Sequence, residues 1–332
     1  MKLNLSEQDH NQIREHGLNV ETVQSQLQRF SDGIPFSTLE RACTINDGIN
    51  HLNESERSSA IAAHSEAAAQ GRFMKMVPAS GAASRMFKTL LALHGSGFCT
   101  RADLRARAAD GDEDAAFGLA FFDGLTDFAF YPQLDTNLAE QELGTDDLLD
   151  SGDYSTILYA LLDDISLNMA EQPKGLIAFH WDGDDIRTPV AEHLLEAIET
   201  VAASDGTATL HFTVSPEHEA AFKREVETAA ALYPDTKFTV EFSHQSPSTD
   251  TIAADMNDQP FRDEDGRLLF RPGGHGALLK NLNELQADLV FIKNVDNVLP
   301  PSKTADSFLE KRVLGGYAVQ LLATRDEALH DL

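Results

Sequence analysis

Cysteine is almost missing from this 332-residue chain: Cys43 and Cys99 stand alone, which excludes a disulfide framework and any cysteine-built zinc site. Lysine is scarce too, supplying 10 of 26 basic residues against 54 acidic ones, for a formal net charge of -28. Such a surface repels nucleic acid and anionic membranes, so neither is expected as a partner. It suits a salty cytoplasm, where acidic, lysine-poor surfaces stay soluble. No run approaches the roughly 18 apolar residues of a membrane span. The opening MKLNLSEQDHNQIREHG lacks an apolar stretch of signal-peptide length, and a soluble cytoplasmic protein is expected. Also missing are a Walker loop, a G-x-G-x-x-G fingerprint, an HExxH helix and a GxSxG elbow, which removes the common signatures of P-loop, dinucleotide, zinc-protease and serine-hydrolase chemistry. There are no internal repeats and no low-complexity tracts.

What remains is a chain with 42% hydrophobic residues, enough for a large core. Residues 1–70 are polar and helix-patterned, with no strand expected. The first strand candidate is RFMKMVP at 72–78, which runs into the small-residue turn ASGAAS and a helix over 85–94. Residues 98–172 are acidic and aromatic-rich, with helical stretches at 114–130 and 154–169, and are expected to be a helical insertion. Phe121, Phe122, Phe128 and Phe130 there are expected to cover the sheet or to form a small core of their own. From 173 the pattern alternates: strand GLIAFHW, helix TPVAEHLLEAIETVAA, strand ATLHFTVS, helix PEHEAAFKREVETAAALY, strand KFTVEFSH. This reads as an α/β protein with a mostly parallel, Rossmann-like sheet flanked by helices. A polar loop over 246–265 leads to a helix at 275–285, then to the buried strand in ADLVFIKNVDN, and a last helix over 307–332. The expected organisation is a helical segment (1–70), an α/β domain (71–306) carrying the insertion, and a closing helix (307–332).

Three constellations could carry chemistry. The turn over 79–84, followed by Arg85, lets backbone N–H groups approach an anion beside a fixed positive charge, although small residues also make ordinary tight turns. Gly273, Gly274 and Gly276 around His275 allow close approach to a planar or phosphorylated ligand, or simply a helix entry with a surface histidine. Asp296 ends an apolar strand, where an open α/β sheet places its ligands, and a single carboxylate there can share a Mg²⁺ with phosphates and water or be a solvated turn acid. Glu192 and His193 are adjacent on a helix and do not converge on one metal, so a structural pair is expected. The strand histidines His180 and His211 are expected to be packed residues, and Cys99 has no recognisable catalytic partner.

The segments FMKMVPASGAASRMFK and FRPGGHGALLKNLNELQADLVFIKNVDNV resemble the bacterial family catalogued as domain of unknown function 4301. More broadly, the order strand-SGAASRM, Pro-Lys before a strand, PGGHG, then N-x-D-N after a strand is similar to the UDP-sugar pyrophosphorylases with their GT-A-like nucleotidyltransferase fold. That resemblance implies a Mg²⁺-dependent nucleotidyltransferase that moves a nucleoside monophosphate from a nucleoside triphosphate to a sugar 1-phosphate. It gives Ser80, Gly81, Ala82, Ala83 and Ser84 the loop over the nucleotide phosphates, and Arg85 and Lys174 the charges facing pyrophosphate and phosphate. Gly274, His275 and Gly276, with Gln245, fall to the nucleoside, and Asp296 to the metal. Ala83 stands where the family usually has glycine. A nucleotide or nucleotide-sugar binder without turnover, and a glycosyltransferase using a preformed donor, fit the same features.

Overall fold

The computed structural model describes residues 5–97, 99–183 and 185–331. Phe98, the first residue of the expected insertion, and Leu332, the last of the expected closing helix, lie outside the described residues, as do residues 1–4. The chain forms two compact units, one from residues 1–59 and 243–287, the other from residues 60–242 and 288–332.

In the first unit, Ser6 caps the helix Glu7–Glu15 through a capping box with Asp9, and Asn19 caps the helix Val20–Asp32. Arg262 donates to both oxygens of Asp9 at 2.8 and 2.9 Å, and these bonds hold the Asp9 carboxyl well below the usual carboxylate range. A small core of Ile13, Val23, Leu27, Ile252 and Leu268 closes beneath them. Two two-residue strands, Thr44–Ile45 and Gly48–Ile49, pair within the region expected to hold none. Two residues are too few to register as a period in sequence.

The second unit is built on a four-stranded sheet: β1 (Phe73–Pro78), β2 (Thr207–Thr213), β3 (Lys237–Ser243) and β4 (Leu289–Ile292), in the order β4-β1-β2-β3. β1 runs parallel to both β4 and β2, with Met76 opposite Ile292 and His211. The protein is therefore α/β with a mostly parallel sheet flanked by helices. The central β1 is covered on both faces and reads as a near-continuous apolar run, whereas β3, at an edge, alternates exposed and half-buried residues.

Helix α1 (Pro189–Val201) packs on β1 and β2. It starts where Thr188 Oγ1 accepts from the Ala191 N–H and Pro189 occupies the first turn, and ten of its thirteen residues are buried, so it is a core helix rather than a surface one. Helix α2 (Ala305–His330) lies against α1 and against the helix Glu54–Ala69. The second contact is close enough that a Cβ at Gly316 would sit 1.6 Å from the Ala60 carbonyl oxygen.

The sequence reading of GLIAFHW as a sheet strand does not hold. Residues 174–176 form a 3-10 turn, and His180–Asp182 pairs antiparallel with Asp185–Arg187 in a separate hairpin. Gly175 is the physical reason. A Cβ there would lie 2.8 Å from the Phe222 ring and 2.9 Å from Val295, so the backbone dives against the core instead of extending beside β1. Gly175→Ala is accordingly expected to cost about 1–3 kcal/mol through overpacking, measured as a lower urea midpoint.

The expected insertion holds five helices between residues 101 and 162. Phe121, Phe122 and Phe130 are buried in a core with Tyr154, Leu134 and Leu158; Phe122 stacks on Tyr154 with centroids 3.8 Å apart. Ala83 and Phe87, from the loop after β1, are buried in this same core.

Candidate phosphate-binding site at the carboxyl edge of the sheet

Parallel strands end together, and their ends are laced by backbone hydrogen bonds. The Ala79 N–H donates to the Thr213 carbonyl at 2.8 Å, and the Val295 N–H to the Pro78 carbonyl at 3.1 Å. The loop after β1, the segment after β2 and the turn after β4 therefore emerge side by side. The first of these is then stitched to residues 172–174. Ala82 bridges Pro173, the Ala83 N–H donates to the Gln172 carbonyl at 3.0 Å, and the Lys174 N–H donates to the Gly81 carbonyl at 3.2 Å.

This stitching brings together residues far apart in the chain. Lys174 Nζ donates to Asp296 Oδ2 at 2.6 Å, across 122 positions. Ser80, Gly81, Ala82, Ser84 and Arg85 are exposed on the same loop, and a Cβ at Gly81 would meet nothing within 4 Å. Arg85 carries no ion pair among the described residues. Ala83 departs from its expected part: its methyl is fully buried in the helical core, so it anchors the loop from behind. The helix expected over 85–94 starts only at Lys88, because residues 84–87 form turns closed by the Met86 and Phe87 N–H groups on the Ala83 carbonyl. Arg85 thus projects from a turn, not from a helix N-terminus.

The turn bearing Asp296 is fixed from below by His193, expected only as part of a structural pair, and by Lys75, Glu196, Lys293 and Lys311, which sequence reasoning did not single out. His193, fully buried on α1, points Nε2 at the carbonyls of Asn294 and Val295, at 3.2 and 3.1 Å. Burial, and then the charge of Lys75, push the His193 pKa well below its ordinary value, so the ring is neutral. Two carbonyl acceptors at Nε2 place its single proton there, which leaves Nδ1 a buried lone pair with no partner. Lys75, fully buried in the middle of β1, donates to the His193 carbonyl at 3.1 Å and pairs with Glu196 at 2.9 Å. Glu196 also holds Lys293 at 2.5 Å, one residue before Asn294, and Lys311 of α2. Three of the chain's ten lysines converge on this one carboxylate. The only sequence signal was a lysine inside an otherwise apolar strand.

The neighbouring pair expected on α1 divides its work. Glu192 accepts from Arg187 and faces His180 Nδ1 at 3.0 Å, while His193 serves the Asp296 turn. His180 is half-buried and His211 buried. Cys99 is buried and in no disulfide, and burial raises its thiol pKa.

Gln245, Gly274, His275 and Gly276 belong to the first unit. Gln245 Nε2 donates to Asp250 Oδ1 at 3.1 Å, and the other oxygen of Asp250 lies 2.8 Å from His16 Nε2. Gly274 precedes the 3-10 turn His275–Leu278, and a Cβ at Gly274 or Gly276 would find open space. Asn281 donates to Ser243 Oγ and to the His244 carbonyl at 2.7 and 2.8 Å, tying the helix Leu279–Glu284 to this segment.

The model of the family described as Domain of unknown function (DUF4301) matches residues 6–332. The chain belongs to the DUF4301 family. No curated protein matches this DUF4301 member. Among solved structures it is similar to the uridine diphosphate N-acetylglucosamine pyrophosphorylase from Trypanosoma brucei in complex with inhibitor, at 15% sequence identity and a TM-score of 0.38. That similarity covers 80% of the DUF4301 chain and 38% of the trypanosomal one. Among the described residues no helix is long and apolar enough to cross a membrane.

Among the described residues, no group of three or more His, Cys, Asp or Glu side chains could hold a metal ion. Asp296 alone fits Mg²⁺ as one hard oxygen ligand, in the manner of sites where substrate phosphates and water complete the shell.

Proposed function

We propose that this protein binds the phosphates of a nucleoside triphosphate on the loop 80–85 and transfers the nucleoside monophosphate to a sugar 1-phosphate, releasing pyrophosphate. The observation that carries the reading is the meeting of Lys174 and Asp296 at 2.6 Å beside an exposed small-residue loop bearing an unpaired arginine. Arg85 has no carboxylate partner among the described residues, so on this loop its charge is available to an anion. In the reaction, an oxygen of the sugar phosphate attacks the α-phosphorus, and the bond from that phosphorus to the bridging oxygen breaks. Pyrophosphate leaves with the electron pair.

The protein's part is positioning and neutralisation of charge. Exposed backbone and Gly81 let the phosphate chain lie close to the loop. Arg85 faces the leaving group with a planar fork of donors, and Lys174 offsets charge on the transferred phosphate. Mg²⁺, held by Asp296 and phosphate oxygens, would supply further charge neutralisation.

The test is pyrophosphate release from each nucleoside triphosphate against a panel of sugar 1-phosphates. Arg85→Gln is expected to lower kcat/KM by about 100-fold, the usual effect of removing one charge-stabilising donor. Because Arg85 is exposed and unpaired, stability should stay within about 0.5 kcal/mol of the parent. Nucleotide-dependent melting shifts with no pyrophosphate from any pair would instead identify a nucleotide-binding protein without turnover. Consumption of a preformed nucleotide sugar would identify a glycosyltransferase.

A further inference from the structure

We infer that Lys174 is the resident counter-ion of Asp296 in the free protein and stands where a divalent cation would bind, so that a phosphate must draw the ammonium away before the metal can enter. The inference rests on the phosphate-site reading above and adds an order of binding to it.

The geometry has three parts. First, Asp296 Oδ2 is taken by Lys174 Nζ at 2.6 Å, and among the described residues Asp296 belongs to no group of three or more His, Cys, Asp or Glu side chains that could hold a cation against that ammonium. A divalent ion arriving alone therefore finds a carboxylate already neutralised. Second, the pair is easily opened, since the two side chains keep 23% and 35% of their surface exposed and such pairs are weak in water. Third, the movement needs no backbone change. Lys174 N–H is fixed to the Gly81 carbonyl, Gly175 is wedged against Phe222 and Val295, and the Asp296 turn is held by His193. Only the flexible four-carbon stem of Lys174 has to swing, and its backbone N–H is bonded to the loop that receives the phosphate.

A phosphate on the loop offers Lys174 more negative charge than Asp296 does. Once the ammonium turns to it, Asp296 is left with an unbalanced charge beside phosphate oxygens, which is the donor set Mg²⁺ prefers. Anion and metal then strengthen each other's binding by the same factor, as linkage requires.

The experiment uses the full chain and Mn²⁺ alone, with free Mn²⁺ read by electron paramagnetic resonance. Lys174→Met is expected to tighten Mn²⁺ binding about five- to tenfold relative to the parent, the scale of an exposed ion pair of about 1 kcal/mol. Lys174→Gln, closer in shape and still polar, should show the same gain, so the result does not hang on one variant's folding. Adding Asp296→Asn to either should abolish the gain. Inorganic phosphate should tighten Mn²⁺ binding to the parent by a larger factor than to Lys174→Met, because only the parent has an ammonium to draw away from Asp296. Equal Mn²⁺ affinity in the parent and both Lys174 variants would overturn the exchange, as would a gain that survives Asp296→Asn. If the exchange appears while no nucleotide shifts the melting temperature, the nucleotide reading fails and the exchange stands. If nucleotides bind with Mg²⁺ but the variants show no gain, the reverse holds.

Discussion

Glu196→Ala is expected to destabilise the second unit by about 3–5 kcal/mol, the cost of removing one partner from a buried charge cluster. Glu196 is buried and receives Lys75, Lys293 and Lys311. Burial by itself would raise its carboxyl pKa. The charges of Lys75 and Lys311 and the hydrogen bond from Lys293 outweigh that and hold it well below the usual carboxylate range, so it is an anion at every physiological pH. Without it, Lys293 and Lys311, joined by Lys75 wherever that group keeps its proton, share a poorly hydrated space with no counter-charge. Glu196→Gln should recover part of the packing but little of the electrostatics, so urea midpoints are expected in the order parent, Gln, Ala. A drop of under about 1 kcal/mol for Ala, the level of an exposed pair, would show that the cluster is hydrated and does not behave as a buried one.

The position of this cluster links stability to the proposed site. Lys293 precedes the Asp296 turn by three residues, and Lys75 holds the backbone of His193, which in turn holds Asn294 and Val295. A loss at Glu196 should therefore loosen the carboxylate that the function depends on, without any group touching substrate being changed.

How much of this could be read from sequence depends on whether the signal was local. β1 and β2 were legible because strands covered on both faces show as short apolar runs, whereas β4, expected to be buried from the same kind of run, is an edge strand whose residues are half-buried or exposed. The segment 175–181 had the same look. It failed because hydropathy cannot show that Gly175 must pass within a Cβ radius of Phe222 and Val295, two residues remote in the chain. Lys174 was singled out by motif resemblance and Asp296 by its place at a strand end as well, but neither signal derived their 2.6 Å contact. The Glu196 cluster stayed hidden for a similar reason. Its members come from β1, the residue after β4 and two helices, and each alone reads as an ordinary surface charge, apart from Lys75 within RFMKMVP.

That lysine leads to a second large effect, in the pH dependence of folding. Burial pulls the Lys75 pKa from the ordinary 10.5 down to about 7, against the raising influence of Glu196 and with the help of Lys311 and Lys293. A depressed lysine has a definite sign. Between pH 7 and 10.5 the unfolded chain binds a proton at Lys75 that the folded chain does not, so stability rises with pH through that window and the gain is lost as pH falls to 7. Two pH units above 7 correspond to about 2 kcal/mol, at 1.36 kcal/mol per unit. Lys75→Met removes the titrating group and leaves Glu196 with Lys293 and Lys311 as partners, so the variant should fold. The measurement is urea unfolding of parent and Lys75→Met at pH 7, 8 and 9, compared as a difference so that the histidines and exposed groups common to both cancel. The parent should gain about 2 kcal/mol on the variant across that range. Parallel curves would mean that Lys75 keeps its proton throughout, and that the three lysines share Glu196 as a fully charged cluster.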